Sequence, residues 1–454
     1  MKRCLIDIND AGIRISDASG LIRVSPGFAF LHRGELLTGE QAAARIRTNP
    51  RAGSDRFWHQ LSQTPLPRPL GPARTHADLA WYHLRDLWTP LAADYDEVLL
   101  TLSGEHDAER LSTLLGISRA CDMPVRSVVA AAVAAAASHH QQHAADDSAR
   151  MICIDAQWHR LLLEPVQLQA GQVSLAATAS ASNDVVRHGL SALYERWAHM
   201  IGEAFVQRTR FDPLHNAASE QQLYDALPGW LRQLSARPQI QLKLAASGHD
   251  FAVELEREQF SAAAADLYAP LLTVARASSE PLLLRQRLTL LPGLVEQLQQ
   301  TTAVYIVEDD VLSSYLLQSA AALMADDGDE VRHHLSLTVA ANETATSAQP
   351  ATAQTPQLPT HISDGQSLWP LLGTGISLPP PAPGHIARRQ AARLCSDDAG
   401  RISIHTAADA AAATTLRIND ETVSPQAAQQ PRQLAAGDRI SIDEQQFVLL
   451  RLVT

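Results

Sequence analysis

Up to residue 338, short apolar segments alternate with longer stretches whose apolar residues recur at helical spacing; beyond it the alternation stops. Residues 4–8, 12–16, 97–102, 125–129, 151–155, 160–163 and 172–177 read as strands. Residues 107–119 and 185–208 read as helices, the second with Leu190, Leu193, Trp197 and Ile201 along one face, which places Trp197 in a core. Strands interleaved with amphipathic helices specify an α/β fold. Two strand pairs are close enough to be hairpins: 4–8 with 12–16, turning at Asn9, Asp10 and Ala11, and 151–155 with 160–163.

Residues 339–358 are rich in Ala, Thr, Gln and Pro without apolar periodicity, the composition of a flexible linker. Residues 359–454 return to short apolar segments between Gly, Asn and Asp turns, the pattern of a small β-sandwich. A chain of 454 residues is too long for one core. The expected organisation is a large α/β unit over 1–338, a linker over 339–358, and an all-β domain over 359–454.

Composition narrows the partners. The most apolar stretch, residues 128–138, is mainly alanine and too short to span a bilayer, so it predicts a buried helix. Asp7 stands where a secretion signal needs an apolar run, which points to a cytoplasmic protein. Cys4, Cys121, Cys153 and Cys395 lie far apart with no CxxC pair and read as free thiols. A net charge of −12 excludes a broadly basic nucleic-acid surface. The partners expected are therefore cytoplasmic proteins, with no nucleic acid and no membrane insertion.

Five segments in order carry a resemblance to the actin and DnaK-type chaperone superfamily. Gly39-Glu40 with Asn49-Pro50 is similar to its "vGeeA…NP" segment. Val98-Leu-Leu-Thr-Leu-Ser-Gly, then Asp107-Ala-Glu-Arg, then Cys121-Asp-Met-Pro-Val-Arg126 is similar to its strand, "NDAQR" helix start and "GLxVLR" strand. Phe251 to Phe260 resembles the "tRxeFE" segment, and Leu288-Thr-Leu-Leu-Pro-Gly293 stands where the adenosine-binding "lvGGsSriP" segment would be. The resemblance implies two lobes around a cleft that holds Mg-ATP between two glycine-rich hairpin turns.

Those turns are altered here. Where the family reads DxGTTNS, this chain has Asp7, Asn9 and Asp10; Asp7 keeps the metal-facing position, and Asp10 brings a carboxylate to the phosphates. Where the family reads DxGGGT, the chain has Asp155, Gln157, Trp158, His159 and Arg160. Glycine serves such turns because backbone without a Cβ approaches an anion closely, and Gln157, Trp158 and His159 are bulky. They are expected to fill the cleft, with a different anion on His159 and Arg160 as the alternative. Counting from the flanking motifs puts Trp58 at the family's catalytic lysine and Ala130 at its glutamate, and Leu291-Pro292 precede Gly293 in place of Gly-Gly. Hydrolysis needs metal, positioned water and charge stabilisation together.

The C-terminal segment resembles a forkhead-associated domain through Leu416 to Val423, Gly437-Asp438-Arg-Ile440 and Phe447 to Val453. Such domains read phosphothreonine with an arginine and a serine. Here Leu378 stands at the arginine position, and "SRRHA" becomes Ala387-Arg388-Arg389-Gln390-Ala391, leaving Arg388 and Arg389 as a candidate anion site. His139 and His143 sit one helical turn apart but read as a solvated helix end rather than a metal pair.

The expectation is a non-catalytic interaction scaffold on a degenerate ATPase-type fold, with no cofactor and no metal. One alternative is an ATP-binding switch or chaperone-like ATPase in which Asp7 and Asp155 hold Mg-ATP. Another is a phosphopeptide reader.

Overall fold

The computed structural model describes residues 1–339 except 104–107, 144–147, 177–187, 247, 279 and 325–329, and from residue 361 onward the backbone of short strands. Residues 340–358 of the expected linker, the Leu378 side chain, and Arg388 and Arg389 lie outside the described residues.

Two mixed sheets organise the chain into two α/β lobes. The first runs in the order Gly20–Ser25, Ile13–Asp17, Arg3–Ile8, Glu97–Leu102, Val125–Ala130, Glu330–His334. Arg3–Ile8 is antiparallel to Ile13–Asp17 and parallel to Glu97–Leu102, which sets Asp7 opposite Thr101. Gln445–Val453 pairs in parallel with Glu330–His334 on the far side. The second sheet runs Val304–Val307, Leu282–Arg285, Ser148–Ala156, Leu161–Gln169, Gln172–Leu175, Ser336–Thr338. Ser148–Ala156 is antiparallel to Leu161–Gln169 and parallel to Leu282–Arg285. Both hairpins read from the sequence are present.

Between the sheets lie two helices. Ala131–Gln142 is buried along Ala131 to His139, and Asp309–Leu323 packs beside it through Leu312 and Leu316. Small side chains let the alanine helix approach strands on both sides, and one cluster links Leu5 and Leu99 of the first sheet to Cys153 and Leu283 of the second. This layer joins the lobes at their base.

The outer layers differ. On the first lobe, His76–Trp88 begins at a reciprocal cap: Asp78 N–H donates to Thr75 Oγ1, and Thr75 N–H donates to the Asp78 carboxylate. Its Leu79, Ala80, Leu84 and Leu87 face the core. On the second lobe, Leu190–Thr209 and Ala217–Ala236 pack with the hairpin Gln239–Ala246 and His249–Glu256. Trp197 is fully buried there, its indole N–H donating to Phe260 O at 2.9 Å.

Two sequence expectations change. The helix expected from 185 starts at Leu190, because Gly189 is wedged against the second hairpin turn; a Cβ there would lie 2.2 Å from Arg160 N. His139 is buried rather than solvated, stacked on His143 and in tilted ring contact with Tyr305.

Candidate functional site

The two hairpin turns face each other across the cleft and are joined there. Asn9 Nδ2 donates to Asp155 Oδ2 at 3.0 Å and to Ala156 O at 3.2 Å. The Trp158 backbone N–H donates to Asp10 Oδ1 at 2.6 Å. The turns spend other N–H groups internally: Ala11 N–H on Asn9 Oδ1, Gly12 N–H on Asn9 O, and Gln157 N–H on Arg160 O. Leu190 and Ser191 N–H, at the start of the Leu190–Thr209 helix, donate to Gln157 O and Trp158 O.

The centre of the cleft is an ionic network. Leu282–Arg285 is an all-buried strand that ends on arginine, and its neighbour Asp309 opens the inner helix. Arg285 Nη2 donates to Asp7 Oδ2 at 2.9 Å and to Asp309 Oδ1 at 3.0 Å. Arg287 Nε lies 3.2 Å from Asp155 Oδ1, and its Nη2 lies 3.6 Å from Asp7 Oδ2. Thr101 donates its hydroxyl to Asp7 Oδ1 at 2.7 Å, and Arg14 Nε stands 3.4 Å from Asp309 Oδ2. Arg285 is 1% exposed, so its charge is sustained by these carboxylates rather than by water.

The protonation states follow from this packing. Burial alone would raise the Asp7 carboxyl, but Arg285, Arg287 and the Thr101 hydroxyl hold it below the usual carboxylate range. Asp10 goes the other way: burial raises it, against the Trp158 N–H and the cations nearby. Burial would lower the Arg285 guanidinium, yet Asp7, Asp155 and Asp309 carry it well above its ordinary value.

The remaining sequence candidates fall around this centre. Gln157 accepts from Arg160 Nε at 2.7 Å, and its Nε2 reaches Ser103 Oγ at 3.4 Å. Trp158 is buried against Phe28 and Tyr194, its indole N–H donating to Asp55 at 2.9 Å. His159 Nε2 meets Asp55 O at 3.0 Å and lies 3.6 Å from Oδ1. Gly293 adopts φ +77° before the short helix Leu294–Gln299, close against Ser261. Trp58 is buried in the first lobe, and Ala130 precedes the alanine helix.

Arg285, Arg287, Asp309 and Arg14 belong to no motif read from the sequence. Their signal is nonetheless present, because an arginine closing the run Leu282-Leu-Leu-Arg285 must find a carboxylate when the strand is buried.

A serine–histidine pair in the first lobe has no nucleophilic use. Ser25 Oγ and His83 Nε2 are 2.8 Å apart, but the Trp58 indole N–H donates to His83 Nδ1 at 2.9 Å. The neutral ring therefore carries its proton on Nε2 and donates to Ser25, the reverse of what a general base does. Burial pushes His83 down to about 3.

No protein-family model matches the chain, and no curated protein matches it. Among the described residues, no group of three or more His, Cys, Asp or Glu side chains is arranged to hold a metal ion, and no helix is long and apolar enough to cross a membrane.

Proposed function

We propose that this chain is a non-catalytic protein-interaction scaffold, built on a degenerate two-lobed body of the actin and DnaK type. The observation that carries the reading is the Arg285 guanidinium bonded to both Asp7 and Asp309 in the cleft. A nucleotide of that superfamily brings a divalent cation to the carboxylate at the first turn and phosphate oxygens to the turn N–H groups. Here Arg285 and Arg287 supply the positive charge to Asp7 and Asp155, and the Asp10 carboxylate takes the Trp158 N–H. Mg-ATP does not fit these residues: it would have to displace the buried Arg285, the partly buried Arg287 and an internal carboxylate, and meet the Trp158 side chain. With its chemistry replaced by internal pairs, such a body offers partners a fixed surface. Cytoplasmic proteins are the partners in this reading, in line with free Cys4, Cys121 and Cys153.

The test is thermal unfolding of the full chain with and without millimolar Mg-ATP, together with a hydrolysis assay. Binding stabilises as RT ln(1 + [L]/Kd), so the scaffold reading expects no resolvable shift and no turnover. A shift of several degrees that disappears in Asp7→Asn would replace it with the nucleotide switch. Copurification from the native cell then identifies the assembly. Release of the captured proteins by phosphatase would favour a phosphopeptide reader acting through Arg388 and Arg389.

A further inference from the structure

A concavity lined by Trp158, and by none of Asp7, Asp155, Arg285, Arg287 or Asp309, has no part in the scaffold reading. Its volume is about 350 Å³, within the range of small-ligand sites. Phe28 and Ile46 line it from the first lobe, and Trp158, Tyr194 and Tyr224 from the second. Trp158 meets Phe28 at 5.1 Å and 69°, and Tyr194 at 5.2 Å and 76°, so successive rings stand nearly at right angles and form the corner of a box.

Two features give this box a sign. Aromatic faces carry a negative quadrupole that attracts cations, and the wall already holds one: the Arg47 guanidinium lies 3.7 Å from the centre of the Tyr224 ring. Arg47 is further committed to Glu220 at 3.7 Å. Glu40 and Asp225, also lining the pocket, are exposed and form no ion pair with the described residues, among which Asp225 accepts an amide N–H from Gln221 at 2.8 Å. Two carboxylates are thus left over beside an aromatic wall. The hydroxyls of Tyr194 and Tyr224 take part in no hydrogen bond with the described residues, so both are available to a ligand.

We propose that this pocket binds a small organic cation, an alkyl- or arylammonium compound whose apolar body sits against Trp158 and Tyr194 and whose charge faces Glu40 and Asp225. Because the walls come from both lobes, the bound cation ties them together above the ionic network and fixes their relative position. The site shares Trp158 with the second turn but uses none of Asp7, Asp155, Arg285 or Arg287, so cation binding is read separately from Mg-ATP binding.

The experiment is titration calorimetry on the full chain with phenethylammonium and tetramethylammonium, and with phenylacetate as the charge-reversed control. The expected result is saturable binding of at least one cation, with phenylacetate at least about tenfold weaker, the size of a cation–aromatic contact plus a rim charge. Glu40→Gln combined with Asp225→Asn should weaken the cation by about tenfold or more without lowering the melting temperature, because both side chains are exposed. Ala44→Leu, which puts bulk into the pocket from an exposed position, should abolish binding. Absence of saturable binding by both cations, equal binding of phenylacetate, or binding indifferent to these variants would overturn the proposal.

Discussion

The backbone N–H of Trp158 donates to the carboxylate of Asp10 at 2.6 Å, from one hairpin turn to the other across the cleft. The acceptor is buried and its second oxygen has no hydrogen-bond partner among the described residues. Asp10→Ala would strand the Trp158 N–H and should lower stability by about 1–3 kcal/mol. Asp10→Asn keeps an acceptor of the same shape and should stay within about 1 kcal/mol of the parent. The sign of the pH effect is also set. With its folded pKa raised, Asp10 contributes stability that is complete below the unfolded carboxyl value of about 3.8 and lost as pH rises through the folded value. Denaturant melts of the parent and of both variants from pH 4 to pH 8 should show that slope in the parent and not in either variant.

Arg285 is the keystone of the network. Arg285→Met should cost about 3–5 kcal/mol, because it leaves Asp7 buried beside a weakened positive field. Asp7→Asn in the same chain should recover part of that loss, and a double-mutant cycle reads the coupling. Asp7, with its pKa lowered, contributes stability present above about pH 3.8 and lost as pH falls through its folded value. Asp7→Asn should therefore flatten the acid limb of the stability curve. Additive effects of the two substitutions would show that the pair does not act as a unit.

Two histidines should leave opposite marks on the pH profile. His83 is buried and pushed down to about 3, so the unfolded chain takes up a proton that the folded chain refuses. Stability should fall by about 1.4 kcal/mol per pH unit below about pH 6.5, or about 2 kcal/mol by pH 5, and His83→Gln should remove that slope. Burial would lower His159, but Asp55 raises it. Its contribution is complete below about pH 6.5 and lost as pH rises through its folded value, so His159→Gln should lose stability mainly on the acid side.

Two glycines distinguish packing from propensity. Gly189→Ala would press a Cβ to within 2.5 Å of Gln157 O and closer still to Arg160 N, both backbone atoms of the second turn. It should destabilise by about 1–3 kcal/mol, as overpacking does. Gly229, inside the helix Ala217–Ala236, has open space at the same position, and Gly229→Ala should stabilise by about 0.5–1 kcal/mol. Chemical denaturation of the two single variants checks both signs at once.

The α/β pattern and both hairpins were legible because strand and helix periods are local properties of the chain. Asp7, Asn9 and Asp155 were assigned to one cleft from the order of segments; the bond from Asn9 to Asp155 is a contact between the two turns that segment order does not specify. The close approach of Gly293 to Ser261 was not legible, since its left-handed backbone meets a residue of a separate helix. The arginines of the network were hidden for another reason. A motif search looks for residues that hold a ligand, whereas Arg285 and Arg287 satisfy carboxylates that would otherwise need one. His139 was read as solvated because its helix ends there, but Tyr305 of a distant strand covers it.

Arg285 and Asp7 are separated by 278 positions in the chain. At roughly 5–20 residues per second, the ribosome needs about 15–55 s to pass from one to the other. During that interval the emerging first hairpin carries an aspartate whose counter-charge does not yet exist. The first lobe therefore cannot close around Asp7 as it stands in the finished protein; it must leave that carboxylate in water or lend it to a passing cation. Completion of the cleft is a late event in the birth of the molecule, timed by the arrival of one strand.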